Sequence, residues 1–323
     1  MPLNRAAYMN NPHVDGFIAY LSRVIGGATP INFTVGFSRS KLPPHFEQRF
    51  PDGHVGKRND GGPVYVVSVR TLEELIRMYW WDNADYDTNA VKLDGVQAAI
   101  ASAIDGEASI NAGSLAEHAC HQVMKWGFGE GRRPYKANMD WAKRQGTILA
   151  SVLREGRESL CGENPNIEAF GKSDVRGAPR MNAGWTKYYA LALDGHVIYD
   201  GRVGAALGFL VRRYLESLAD SRRPECVPDC LGFLWGDGDG GRKLRDPSAG
   251  RYKFAKLYGG PYGSKAWARV NVQANWVLSS AIEAAQADWC SGPDGLRKLE
   301  AALFMLGYDL SRADERNPIA KAA

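Results

Sequence analysis

Apolar residues recur at three- and four-residue steps through most of the chain beyond residue 113, the spacing that gives an α-helix one buried face. The plainest run begins at Val203 and continues through Ala206, Leu207, Leu210, Val211, Tyr214, Leu215 and Leu218, with Arg202, Arg212, Arg213 and Glu216 on the other side. It predicts an amphipathic core helix starting just after Asp200. The same steps place Leu115, Ala119, Val123 and Trp126 on one helix and Trp141, Ile148, Leu149, Val152 and Leu153 on the next. Farther on, Trp267, Val270, Ala274, Leu278, Ala281 and Ile282 make a stripe that leaves Arg269, Gln273 and Trp276 outside it.

The first 110 residues read differently. Strand-like runs at Ile31 to Phe37 and Val64 to Val69 mix with helix-like runs at Leu72 to Trp81 and Val91 to Ile104. Between the strands, Lys41 to Pro63 is rich in Pro, Gly and His and reads as a loop, as does Gly232 to Gly250. The expectation is a mostly α chain, with an α+β accessory region over residues 1–110 and a helical core over residues 111–323.

Composition narrows the class. At 323 residues and 45% hydrophobic the chain can bury one or two cores. Its longest apolar run, Ala205 to Val211 with one Gly, is far below the roughly 20 residues a membrane span needs. Met1 to Phe17 carries no apolar signal-peptide core, so a cytoplasmic, membrane-free monomer is expected. Cysteines at 120, 161, 226, 230 and 290 are odd in number and scattered, which suits reduced thiols. A net charge of +4 is mild, so any affinity for nucleic acid depends on local clustering.

Several chemistries lack their residues. Asp237-Gly-Asp239-Gly-Gly has neither the third acidic ligand nor the closing Glu of a calcium loop. Cys226 and Cys230 sit at an uncommon spacing for zinc, far in sequence from His118, Cys120 and His121. There is no Gly-x-Ser-x-Gly elbow, and Gly236 to Gly241 lacks the Lys-Ser/Thr ending of a phosphate loop. No cofactor or metal is implied.

What stands out is the stretch from Gly184 to Val203. Asn182 and Gly184 are helix-start signals, Thr186 to Leu193 reads as a short helix, and Asp194-Gly195 is a turn that brings the chain back toward Asp200. Lys187 therefore falls in a first helical turn, near the positive end of the backbone dipole, which favours the free amine. An amine facing a carboxylate suits an oxocarbenium-like transition state at a sugar carbon.

This stretch resembles the catalytic segment of the helix-hairpin-helix DNA glycosylases, most closely the bacterial 8-oxoguanine DNA glycosylase-like group. Thr186-Lys187 opening a helix and Asp200 downstream match that group. So do Gly260-Pro261-Tyr262-Gly263, Trp267-Ala268-Arg269 and Gln273-Ala274 after it. The match covers residues 180–285, and no Leu-Pro-Gly-x-Gly hairpin precedes Thr186.

The resemblance implies a helix-hairpin-helix glycosylase-like helical core and an enzyme that flips a base out of double-stranded DNA and cuts its N-glycosidic bond. It implies Lys187 as nucleophile and Asp200 as the stabiliser of the cationic sugar, with lyase nicking where Lys187 forms a Schiff base. Trp185, Arg269, Gln273 and Trp276 are the expected base pocket. Arg202, Lys253, Lys256 and Lys265, three of them among Tyr252, Phe254, Tyr258, Tyr262 and Trp267, are the expected DNA contacts. The substrate expected is a hypermodified phage base such as glucosylated hydroxymethylcytosine, which makes the activity an antiviral defence. The alternatives are an 8-oxoguanine repair glycosylase/lyase and a DNA-binding protein of the same fold without chemistry. A carbohydrate hydrolase needs paired carboxylates at one pocket, which the sequence does not offer.

Overall fold

The computed structural model describes residues 3–57, 61–238 and 243–314. Its helices are α1 (Arg5–Met9), α2 (Pro12–Ile25), α3 (Phe46–Arg49), α4 (Leu72–Ile76), α5 (Tyr86–Asp105), α6 (Ala112–Phe128), α7 (Arg133–Gln145), α8 (Leu149–Leu160), α9 (Trp185–Ala192), α10 (Gly201–Ser217), α11 (Gly260–Ala285) and α12 (Gly295–Leu306). Three short strands are β1 (Phe33–Ser38), β2 (His54–Lys57) and β3 (Pro63–Val69). The chain is thus mostly helical, and no described helix is long and apolar enough to cross a membrane.

Two units share the chain, and they interleave. Unit 1 comprises Met1–Asp15, Asp87–Asp200 and Lys256–Ser279; unit 2 comprises Gly16–Tyr86, Gly201–Ala255 and Ser280–Ala323. The boundary expected near residue 110 falls inside unit 1, between α5 and α6. Composition along the sequence registers where strands stop. It carries no trace of which later segments return to pack on earlier ones.

In unit 1, α6, α7, α8 and α9 pack on one another. The short α9 is buried on almost every side, Trp185 to Leu191 all being interior. A helix enclosed all round lies in a core, and its polar residues Thr186 and Lys187 then need buried partners. Its neighbour α8 is amphipathic, burying Leu149, Val152, Leu153 and Leu160. The single helix read through Trp141 and Leu153 is in fact two. Gly146 adopts φ +61°, a left-handed conformation that suits glycine, and this ends α7 before α8 begins.

In unit 2, the antiparallel sheet has order β1-β3-β2, with Phe33 opposite Val69 and His54 opposite Val66. Strand β2 lies in the segment read as a loop. It carries one apolar side chain, Val55, which is exposed, so an edge strand of this kind leaves no alternating pattern to read. Helix α10 buries the predicted stripe from Val203 to Leu215 and packs against α12. The Asp237-Gly-Asp239-Gly-Gly stretch weighed as a calcium loop falls partly on residues 239–242, which lie outside the described residues.

Candidate active site

Asn182 sets the start of α9. Its Oδ1 accepts hydrogen bonds from the backbone N–H of Gly184 (2.8 Å) and of Trp185 (3.2 Å), satisfying donors that a helix N-terminus otherwise leaves open. Its amide in turn donates to Asn138 Oδ1 at 3.0 Å. Gly184 leaves room here, because a β-carbon would lie 2.7 Å from Asn138 Nδ2 and 2.8 Å from Met124 Sδ and both side chains would have to shift. The turn that returns the chain is also as read: Gly195 has φ +71°, and the half-buried His196 places Nδ1 2.9 Å from the Asp194 carbonyl oxygen.

Thr186 is the hub. Its Oγ1 accepts from the backbone N–H of Tyr199 at 2.9 Å and from Asn271 Nδ2 at 3.2 Å. Asn271 also donates to the Val197 carbonyl (3.0 Å), Asn275 Oδ1 accepts from Val197 N–H (2.9 Å), and Trp267 Nε1 donates to the Tyr199 carbonyl (2.7 Å). The residue before Lys187 is thereby bonded to the residue before Asp200. Both lie in unit 1, and Asp200 stays partly exposed.

Lys187 itself is 5% exposed. Its Nζ donates to the Ala183 carbonyl at 2.7 Å and lies 5.0 Å from the centre of the Phe128 ring. Gly127 makes room for it, since a β-carbon there would approach Lys187 Cδ to 2.6 Å. The sequence predicts this amine facing a carboxylate from the first turn of α9; the structure packs its stem against α6. Gly127→Ala is expected to shift the Lys187 stem and lower thermal stability by about 1–3 kcal/mol, the usual cost of overpacking, read by denaturant unfolding.

The expected base pocket divides. Trp185 is fully buried, 4.5 Å centre to centre from Trp141, so it is a core ring rather than a pocket wall. Trp276 packs against Tyr8 in the interior. Arg269 is partly exposed and Gln273 is buried. At about 100° per residue, Trp267, Asn271 and Asn275 share the face of α11 that bonds the 197–199 segment. Arg269, Gln273 and Trp276 lie on the opposite face. The residues that sequence reasoning missed, Asn271 and Asn275, had a signal. Two asparagines one helical turn apart, inside a run as apolar as Val270 to Leu278, need buried partners.

The expected DNA contacts divide as well. Lys253 and Lys256 are exposed. Lys265 is paired with Glu168 at 2.6 Å. Arg202 is held within unit 2, its guanidinium 3.9 Å from the Phe304 ring centre, 5.2 Å from Tyr308 and 5.5 Å from Trp81. An arginine embraced by three rings is a packing element, because rings of this kind hold its charge in place.

One cleft of about 750 Å³ opens in unit 1, bordered by Asn182 and Trp267 on the side of the Thr186 hub and by Arg144, Arg176 and Arg180 elsewhere. Lys187 and Asp200 are not among its lining residues. All five cysteines are free thiols, and no described cluster of three or more His, Cys, Asp or Glu could hold a metal. No protein-family model, curated protein or solved structure matches this chain.

Proposed function

We propose that this protein is a DNA glycosylase that excises a flipped-out modified base, with a hypermodified phage cytosine such as the glucosylated hydroxymethyl form as substrate. The observation that carries this reading is the 2.9 Å bond from Tyr199 N–H to Thr186 Oγ1, which ties the segment ending in Asp200 to the first turn bearing Lys187. In the reaction, the Lys187 amine forms a bond to C1′ as the bond from C1′ to the base nitrogen breaks. The electron pair leaves with the base, which takes a proton from solvent. Asp200 stabilises the positive sugar and accepts the proton shed by the amine; the nitrogen lone pair then expels the ring oxygen, the C1′–O4′ bond breaks, O4′ takes that proton back from Asp200, and a Schiff base remains at C1′. Flipping is required because C1′ and the base edge are inaccessible within the stack.

A second reading has its own observation. The burial of Lys187, with Nζ on the Ala183 carbonyl, suits a structural lysine, and hence a DNA-binding protein that releases no base. One experiment separates them. DNA bearing each modified base, 8-oxoguanine included, is incubated with the protein, followed by an abasic-site probe, mass spectrometry of released bases and borohydride trapping. Release of the glucosylated base and a trapped covalent adduct support the first reading. Release of 8-oxoguanine alone overturns the substrate assignment, and binding without release of any base supports the second.

Affinity gives an independent test. If Lys256 contacts a phosphate, Lys256→Gln lowers the slope of log binding constant against log salt by about 0.9 on duplex DNA, with base preference unchanged. An unaltered slope assigns that lysine to a solvated face.

A further inference from the structure

The unit 1 cleft gathers more positive charge than its surroundings balance. Arg144, Arg176 and Arg180 face a single lining carboxylate, Asp174, leaving two net positive charges. Arg176 is fixed in place: its Nε donates to the Arg144 carbonyl at 3.2 Å and its Nη2 to the Gln145 carbonyl at 3.1 Å, capping the C-terminus of α7. Among the described residues, neither Arg144 nor Arg180 has an ion pair or a side-chain hydrogen bond. Burial and the neighbouring Arg144 charge both hold the Arg180 guanidinium below its ordinary pKa.

The remaining walls supply the rest of a ligand site. The start of α11, at Gly260 and Pro261, borders the same space, so the positive helix end adds to the arginines. Gly263 fits the first turn because a β-carbon would lie 2.1 Å from the Tyr258 carbonyl oxygen, and its absence lets the Tyr258 segment press against the helix start. Tyr258 is 53% exposed, and Trp267 is held by its indole N–H on Tyr199, so these two rings, with Trp141, give the cleft aromatic walls beside its arginines.

We propose that this cleft binds a nucleotide through its terminal phosphate monoester. The guanidiniums of Arg144 and Arg180 take the phosphate beside the fixed Arg176, and the base lies against Tyr258 and Trp267. A phosphate monoester carries roughly 1.5 to 2 negative charges at neutral pH, which matches the net charge of the cleft, whereas an internal phosphodiester carries one. Two sources share this chemistry, a free nucleoside 5′-monophosphate and the 5′-phosphorylated end of a strand. Neither requires that Lys187 act on C1′.

Titration calorimetry with a deoxynucleoside 5′-monophosphate, its unphosphorylated nucleoside and inorganic phosphate tests the site. Oligonucleotides with and without a 5′-phosphate distinguish the sources. The expected result is one equivalent of mononucleotide bound about tenfold or more tighter than nucleoside or phosphate alone. Arg144→Gln and Arg180→Gln each weaken it about tenfold, while Lys187→Gln leaves it unchanged. Tyr258→Leu, at an exposed ring, weakens nucleotide binding but not phosphate binding. Tighter binding of the phosphorylated oligonucleotide identifies a strand end, and tighter binding of the mononucleotide identifies a free ligand. Equal binding of nucleotide and nucleoside, or no change in folded Arg144→Gln and Arg180→Gln proteins, overturns the proposal. Loss of base release with nucleotide binding intact would count against the glycosylase reading alone.

Discussion

Lys187→Gln and Asp200→Asn are each expected to abolish base release by roughly two orders of magnitude or more, while DNA binding persists. The first removes the amine, the second removes the charge, and both keep side-chain size close to the original. Because Lys187 is buried, its replacement also leaves the Ala183 carbonyl without the 2.7 Å donor it now has, at a cost of about 1–3 kcal/mol. Activity must therefore be compared at a temperature where both proteins are folded. Lys187→Met, which keeps the apolar stem against Gly127, controls for packing. Single-turnover base release and borohydride trapping are the readouts. Full activity in folded Asp200→Asn would remove Asp200 from the chemistry and leave the DNA-binding reading in possession.

Trp185→Ala is expected to lower stability by about 3–5 kcal/mol, among the largest effects available to a single substitution in this chain. The ring is wholly enclosed between Trp141 and Tyr188, and its Nε1 has no hydrogen-bond partner, so its contribution is packing alone. Trp185→Phe should cost much less, since it keeps an aromatic filling and removes a buried donor that nothing satisfies. Urea unfolding should show the midpoint falling at constant slope. A change under about 1 kcal/mol for the alanine variant would mean that the ring is not the core element its burial indicates.

Local signals in the sequence were strong wherever one chain segment decides its own shape. Asn182, Gly184 and Gly195 mark the start of α9 and the turn after it because capping and positive φ depend on neighbouring residues. The stripe from Val203 to Leu215 likewise reports α10. What stayed hidden is set by distant partners. Nothing near Lys187 says that Gly127 gives it room, and nothing near Thr186 says that Asn271 will reach it. The arginine cleft escaped for the same reason: Arg144 belongs to a polar helix, Arg176 and Arg180 to a loop, and only folding sets them around one space. Arg269 and Gln273 looked available because they leave the apolar stripe, yet the face of α11 that bonds the 197–199 segment is the one carrying asparagines.

The interleaving of the two units has a consequence for synthesis on the ribosome. Unit 1 draws on residues up to Ser279, and unit 2 begins at Gly16 but includes α12. The sheet of β1 to β3 and the neighbouring α4 must wait, with apolar surface uncovered, until α12 and the Tyr308 that packs on Phe37 have emerged about 240 residues later. At about 5–20 residues per second that wait is on the order of tens of seconds, the interval in which nascent chains are captured by chaperones or lost to aggregation.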